Sequence, residues 1–285
     1  MRNTNKASIT DAVVASISKS EDPRTKEIMT AAIRHLHAFV REVKLTTEEW
    51  QMAMDMLLKT AKVTDDERNE FIIFSDTLGV SSLVDLIRED AGEGTEASLL
   101  GPFYIPGSPE LGYGADMVKD NDGMPAIVTG KIVDLEGNPI SGAVLDIWQG
   151  AANGFYQIQD PNQNNENLRG RTVSNEDGEY LFATIKPVPY PIPDDGPVGD
   201  MLRATSRSNL RTSHIHFKIT AEGFKPLVTQ VFSDDDPYLD QDAVFGVRES
   251  LITKFEEASA SDVPPIAGVK APYCKVTFDF SLAPE

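Results

Sequence analysis

The chain has 285 residues, 40% hydrophobic and 25% charged, with a net charge of −19. That is the balance of an ordinary soluble protein, long enough for one large domain or two smaller ones. The acidic excess argues against nucleic acid or an anionic membrane surface as the main partner, since both require a basic footprint. No apolar run approaches the ~20 residues that cross a bilayer, so this does not read as a membrane protein.

The first twenty residues, MRNTNKASITDAVVASISKS, show no signal-peptide core followed by a cleavage site. From Asp22 to about Asp90 the apolar period is helical. Ile28, Ala32, Leu36, Phe39, Val40 and Val43 form one stripe on a first helix. TTEEW (Thr46 to Trp50) and TDDE (Thr64 to Glu67) each have the pattern of a capping box opening a further helix. SSLVDLIRED predicts a shorter fourth one. His35 and His37, on the first helix, stand about 200° apart around its axis and cannot share a ligand there.

After GEGTEASLLGPFYIPGSPELGYG the composition shifts. Gly and Pro become frequent, and short alternating runs replace the helices: AIVTGKIVD, GAVLDIWQ, GEYLFATI, HIHFKIT, PLVTQVF and KVTFDFSL. Turn segments LEGNPISG and NEDGEY separate them. The pattern predicts an α+β protein: an N-terminal helical domain (1–100) followed by a mostly antiparallel β-sandwich (101–285). Cys274 is the only cysteine. It allows no internal disulfide, makes the cytoplasm the expected compartment, and leaves only nitrogen and oxygen ligands for any metal.

One strand, RTSHIHFKI, carries His214 and His216 with a single residue between them. At a side-chain period of 2 both imidazoles face the same way, with Cα atoms ~6.5–7 Å apart. Either they converge on a metal or they line the wet face of an edge strand. Two tyrosines stand outside any strand core: Tyr156, in the Gly/Asn loop of WQGAANGFYQIQD, and Tyr190, flanked by prolines in KPVPYPIPDDGPVG. Two imidazoles and two phenols make a selective donor set. A free phenol, with pKa ~10, ligates at neutral pH only when a strong Lewis acid strips its proton, and hard anionic oxygen favours Fe(III).

The runs IVTGKIVDLEGNPISGAVLDIWQGAANGFYQ, RGRTVSNEDGEYLFATIKPVPYPIP and RTSHIHFKI closely resemble the intradiol ring-cleaving dioxygenases of catechols. LLGPFY, HLHAFVREVKLT and NEFIIFSDTLGVS extend the resemblance over nearly the whole chain, while KTAKVTDDERNEF departs from the family pattern. The resemblance implies a helical N-terminal domain that builds a homodimer, and a β-sandwich holding one non-haem Fe(III) per subunit. Its Tyr-Tyr-His-His ligands carry over onto Tyr156, Tyr190, His214 and His216. It also implies phospholipid in an apolar tunnel at the dimer interface, with Met52, Met54 and Met56 as candidate contributors. The partners expected are a small aromatic diol or triol and O2, which is inserted between the two adjacent oxygenated ring carbons.

By the same carry-over, Tyr190 leaves the metal when substrate binds and acts as a base. Arg211 stabilises the ketonised, electron-rich ring, a task suited to a permanent cation. Since Arg211 lies three residues from His214, the strand must be entering from a loop there. Gln230 matches a glutamine near the O2 pocket, or else is a buried, backbone-bonded amide. Ile73, Asp76, Leu99, Pro102, Ile192, Pro193, Val244 and Phe245 are the expected substrate wall. Within the family an acid at the position of Asp76 accompanies hydroxyquinol (benzene-1,2,4-triol) and chlorocatechol, which favours hydroxyquinol here, with catechol or chlorocatechol as the alternative. Two rivals remain: a non-catalytic β-sandwich module, which needs none of the four donors, and an Fe(II) site of two histidines with Asp234 or Asp235.

Overall fold

Among the residues described by the computed structural model (4–65, 68–89, 94–120, 123–259 and 261–285), helices come first. A short α1 (Ile9–Ser16), not expected from sequence, precedes α2 (Pro23–Val43). It carries no buried residue and no strong apolar stripe, so nothing in the pattern announced it. Helix α2 opens where its sequence predicts: the Asp22 carboxylate accepts the N–H groups of Arg24 and Thr25, and Pro23 takes the first turn. No residue of α2 is buried, so the predicted stripe lies in the open. His35 is exposed, and Nδ1 of His37 meets the Thr10 hydroxyl at 3.0 Å.

Helix α3 (Thr47–Val63) begins on the predicted reciprocal box. Thr46 N–H donates to the Glu49 carboxylate at 2.8 Å, and Glu49 N–H to the Thr46 hydroxyl at 3.2 Å. The second predicted box lies partly outside the described residues, and the helix after it opens later, at Glu70. Thr64 donates its hydroxyl back to the Thr60 carbonyl at 2.9 Å and Asp65 accepts Arg68 N–H at 2.8 Å, while Asp66 and Glu67 lie outside the described residues. Asn69 caps α4 (Glu70–Thr77), accepting Ile72 N–H at 3.1 Å. Helix α5 (Val80–Glu89) follows, as SSLVDLIRED predicts. The chain forms two units, Met1–Leu58 and Lys59–Glu285.

The strands form two packed sheets. The first contains β1 (Ala115–Asp116), β2 (Pro125–Val133), β5 (Glu179–Ile185), β11 (Glu256–Glu257), β12 (Cys274–Thr277) and β13 (Phe280–Ser281). Its path is β1-β5-β2-β12-β11, with β13 also on β2. The second contains β3 (Val144–Trp148), β4 (Arg169–Val173), β8 (His214–Thr220), β9 (Leu227–Ser233) and β10 (Ile252–Thr253), in the order β10-β9-β8-β3-β4. A two-stranded ribbon, β6 (Tyr190–Pro191) with β7 (Leu210–Arg211), flanks them, and α6 (Pro197–Ala204) lies in the connection between its strands.

Within the second sheet β3, β4, β8 and β9 pair antiparallel, and only β10 runs parallel to its neighbour. The first sheet is mixed, because KVTFDFSL returns alongside β2 in the same direction. Period 2 decides what each strand buries. Ile215, Phe217 and Ile219 of β8 enter the core between the sheets, with Leu145 and Ile147 of β3, Val128 of β2 and Phe182 of β5. The alternate residues of β8, including both histidines, therefore point to the other face.

Candidate metal centre

On that outer face His214 and His216 are 2% exposed. Their neighbours follow from register: Trp148 and Gln230 stand across from His216, and Phe232 across from His214. The Trp148 indole stacks on the His216 imidazole, centroids 4.7 Å apart and planes within 8°. Thr212 and Ser213 break the strand between Arg211 and His214. Asp236 holds that break by accepting both the N–H (2.6 Å) and the hydroxyl (2.5 Å) of Ser213. Arg211 thus belongs to β7, where it pairs with Tyr190, and period 2 does not force it to the opposite face from the histidines.

The two tyrosines arrive from separate loops. Gly154, at φ +84°, closes a tight turn that delivers Tyr156; a Cβ there would come 3.2 Å from Tyr190 Cβ. Gln159 accepts Tyr156 N–H at 3.0 Å and sets the loop's exit. Tyr190 sits on β6 among its prolines. All four predicted donors converge. Tyr156 Oη lies 3.2 Å from Tyr190 Oη, 3.4 Å from His214 Nε2 and 3.1 Å from His216 Nε2, and the two Nε2 atoms are 3.1 Å apart.

The electrostatics of this set suit a cation at its centre. His214 Nδ1 donates to the Thr212 carbonyl at 2.5 Å, which leaves the Nε2 lone pair free to ligate. Burial, then the Arg211 charge, holds both imidazoles well below their ordinary pKa, so both are neutral. Nδ1 of His216 has no partner at hydrogen-bond geometry, though the Leu99 carbonyl acts on it electrostatically. Burial raises both phenols; the neighbouring Tyr190 charge adds to the rise for Tyr156, while Arg211 opposes it for Tyr190. Four of the six separations among these desolvated lone-pair donors, at 3.1–3.4 Å, match the edges of a coordination polyhedron with bonds of about 2 Å.

The supporting residues follow. Arg211 donates Nε–H to Asp242 Oδ1 at 3.1 Å, and Nη2 to Gln230 Oε1 at 2.8 Å and to Asp242 Oδ2 at 3.4 Å. Burial works against its charge, but Asp242 and the tyrosines outweigh it and the guanidinium stays protonated. Gln230 is spent on this frame: its amide N–H also reaches the Leu99 carbonyl at 2.6 Å. Asp242, Asp236 and Trp148 were not singled out from sequence. An acid 31 residues from its arginine leaves no local periodic trace.

Of the expected substrate wall, Ile73, Leu99, Ile192 and Val244 meet in one buried cluster with Val198, Leu202 and Ala243. Asp76, on the same face of α4 as Ile73, is 4% exposed rather than solvated. Desolvation raises its pKa, with the Ser81 hydroxyl and the Arg211 charge partly offsetting. Pro102 and Pro193 are half-buried. Phe245 is 52% exposed and outside the cluster, its ring under the Arg207 guanidinium at 5.0 Å. Asp234 and Asp235 are exposed, and Asp235 pairs with Lys186. Among the described residues no group of three His, Cys, Asp or Glu side chains gathers to hold a metal, so the two-histidine, one-carboxylate site is not assembled.

The chain matches known proteins over nearly its whole length. The family model Dioxygenase matches residues 99–284, and Catechol dioxygenase N terminus matches residues 22–96. The hydroxyquinol 1,2-dioxygenase of Rhizobium sp. (strain MTP-10005) is 44% identical, over 96% of this chain and 94% of that one. The 6-chlorohydroxyquinol 1,2-dioxygenase of Cupriavidus pinatubonensis is 46% identical, over 88% and 92%. The crystal structure of hydroxyquinol 1,2-dioxygenase from Pseudomonas putida DLL-E4 superposes with a TM-score of 0.90 at 48% identity, over 98% and 99%. The chain belongs to the intradiol ring-cleavage dioxygenases. It is an enzyme of that class, a family that generally uses non-haem iron.

Proposed function

We propose that the protein cleaves hydroxyquinol between its two adjacent oxygenated carbons, with O2, to 3-hydroxy-cis,cis-muconate or its tautomer maleylacetate. Tyr156, Tyr190, His214 and His216 would hold one Fe(III) per subunit. Bound there, ferric iron supplies the Lewis acidity that keeps phenols ionised and draws electron density from a chelating diolate.

The chain's own residues do the rest. Tyr190, beside the Arg211 cation, takes a proton from a substrate hydroxyl at its Oη. Arg211 places a fixed positive charge where the ring becomes electron-rich. The cluster of Ile73, Leu99, Ile192 and Val244 grips the ring and excludes water. Asp76 accepts a hydrogen bond from the third hydroxyl.

Buried Asp76 carries the choice of substrate: catechol lacks the third hydroxyl and leaves one of its acceptor positions unfilled, which disfavours that ligand by ~1–3 kcal/mol. The names of both relatives compared above, each a triol enzyme, point the same way. O2 uptake and product spectra with hydroxyquinol, catechol and chlorocatechols provide the test. Hydroxyquinol is expected to lead in kcat/KM, and Asp76→Leu to reverse the order; catechol leading in the wild type would overturn the assignment in favour of the alternative.

The division into 1–100 and 101–285, a homodimer through the helical part with phospholipid at its interface, and a cytoplasmic location complete the proposal. The break between the two family models, after residue 96 and before 99, supports the first. The open stripe of α2 supports the second, and the single buried thiol of Cys274 the third.

A further inference from the structure

Asp242 has no part in the metal set, yet its carboxylate joins the two halves of the site. Arg211 meets it through Nε and Nη2, and Gln230 takes the remaining bond from Nη2. The guanidinium is planar, so gripping one edge decides where the other points. The ungripped Nη1 faces the donor cluster, 3.3 Å from His214 Nε2. Among the described residues Asp242 is the only carboxylate within ion-pair distance of Arg211.

The same carboxylate closes the turn that carries the apolar wall. Asp242 Oδ2 accepts Gly246 N–H at 2.8 Å, and the Asp242 carbonyl accepts Phe245 N–H at 3.1 Å. Within that turn Phe245 holds a left-handed φ of 57°, a conformation disfavoured for a bulky side chain. Ala243 N–H donates to the Leu210 carbonyl at 3.0 Å, one residue before Arg211, and Val244 joins the buried cluster. Gly246 is pressed against the pair: a Cβ there would stand 3.0 Å from Arg211 Nη2 and 3.2 Å from Asp242 Oδ2.

We infer that Asp242 is a positioning residue that acts through Arg211, aiming Nη1 at the charge developed by the bound ring and holding it in register with Val244. The inference rests on the intradiol assignment. An asparagine there keeps the shape but has one acceptor oxygen, where the carboxylate offers two to the guanidinium and to Gly246. The fork then loses a contact and swings.

Asp242→Asn and Arg211→Gln, alone and combined, test it in the iron-loaded enzyme with hydroxyquinol. Asp242→Asn should lower kcat at least tenfold with KM within threefold, while the visible absorption of the resting enzyme stays unchanged. In the Arg211→Gln background the same substitution should change kcat less than twofold. A kcat within twofold of wild type, or an undiminished loss when Arg211 is already gone, overturns the inference. If Asp242→Asn yields no folded protein, Gly246→Ala, which crowds Nη2 without removing charge, enters the same cycle under the same thresholds. Wild type taking up no O2 with any diol or triol instead overturns the parent assignment, and the inference with it.

Discussion

Tyr156 is wholly buried, and its hydroxyl lies within 3.4 Å of three other donor atoms. A phenol so placed gains most from ionising onto a cation. Tyr156→Phe is therefore expected to weaken or shift the broad visible band of the iron-loaded protein, because one phenolate-to-iron transition is lost; an unaltered spectrum excludes Tyr156 as a ligand. Asp76 makes a prediction of a different kind. Desolvation raises its folded pKa above the ordinary 3.8, so the stability it contributes is complete below 3.8 and drains away as pH rises through the folded value. Asp76→Asn should thus gain on the wild type as pH rises above 3.8, with a constant difference below it. Denaturant midpoints across pH would read this, and the opposite trend would mean that the carboxylate is stabilised by its site rather than strained in it.

Among the elements, β2 shows how a single glycine lets two strands share one neighbour. Strand β12 pairs with Ala126 to Thr129, and β13 with Ile132 and Val133. Between them the chain kinks over Gly130: a Cβ there would fall 1.7 Å from the Phe278 carbonyl oxygen, which accepts the Tyr180 hydroxyl at 2.6 Å. Asp279 takes Lys131 N–H at 2.7 Å where the ladder is interrupted. Gly130→Ala should cost on the order of 3 kcal/mol, because both the backbone approach and the tyrosine bond are disturbed. Thermal unfolding with a Tm within a degree of wild type would show that the kink relaxes. Alternation in KVTFDFSL predicts one strand, since a period of 2 carries no sign of where a neighbouring carbonyl needs room. Glu70 is a second such case. Wholly buried, it accepts Val198 N–H at 3.1 Å and pairs with Arg68, so an acid on one helix caps another some 128 residues away.

At the scale of the whole molecule, the helical part leaves large apolar side chains in the open. Leu36 of α2 is 62% exposed and Met52 of α3 70%. Such surface drives association in water, against the mutual repulsion expected at a net charge of −19. Sedimentation at micromolar concentration should give twice the 31.2 kDa chain mass, more completely as salt screens the charge. A monomer at all salt concentrations counts against the homodimer. Stripping the iron should abolish the visible band and lower Tm, since a ligand bound only by the folded state stabilises it by mass action; an unmoved Tm on iron removal would place the metal outside the folded core.

The helical and β halves, most strands, the reciprocal box at Thr46 and the four side chains now found together were all legible in the linear chain. Each of these has a local cause: a period of 3.6 or 2, a cap three residues long, or a run specific enough to mark the family. The rest came from long-range packing. That packing determined that Asn69 caps α4, that β12 and β13 run parallel to β2, that Asp76 is buried, that Phe245 lies outside the apolar cluster, and that Asp242 grips Arg211. Those outcomes depend on which distant segments compete for the same carbonyl, cavity or cation, and such competition is settled only when the chain has closed on itself.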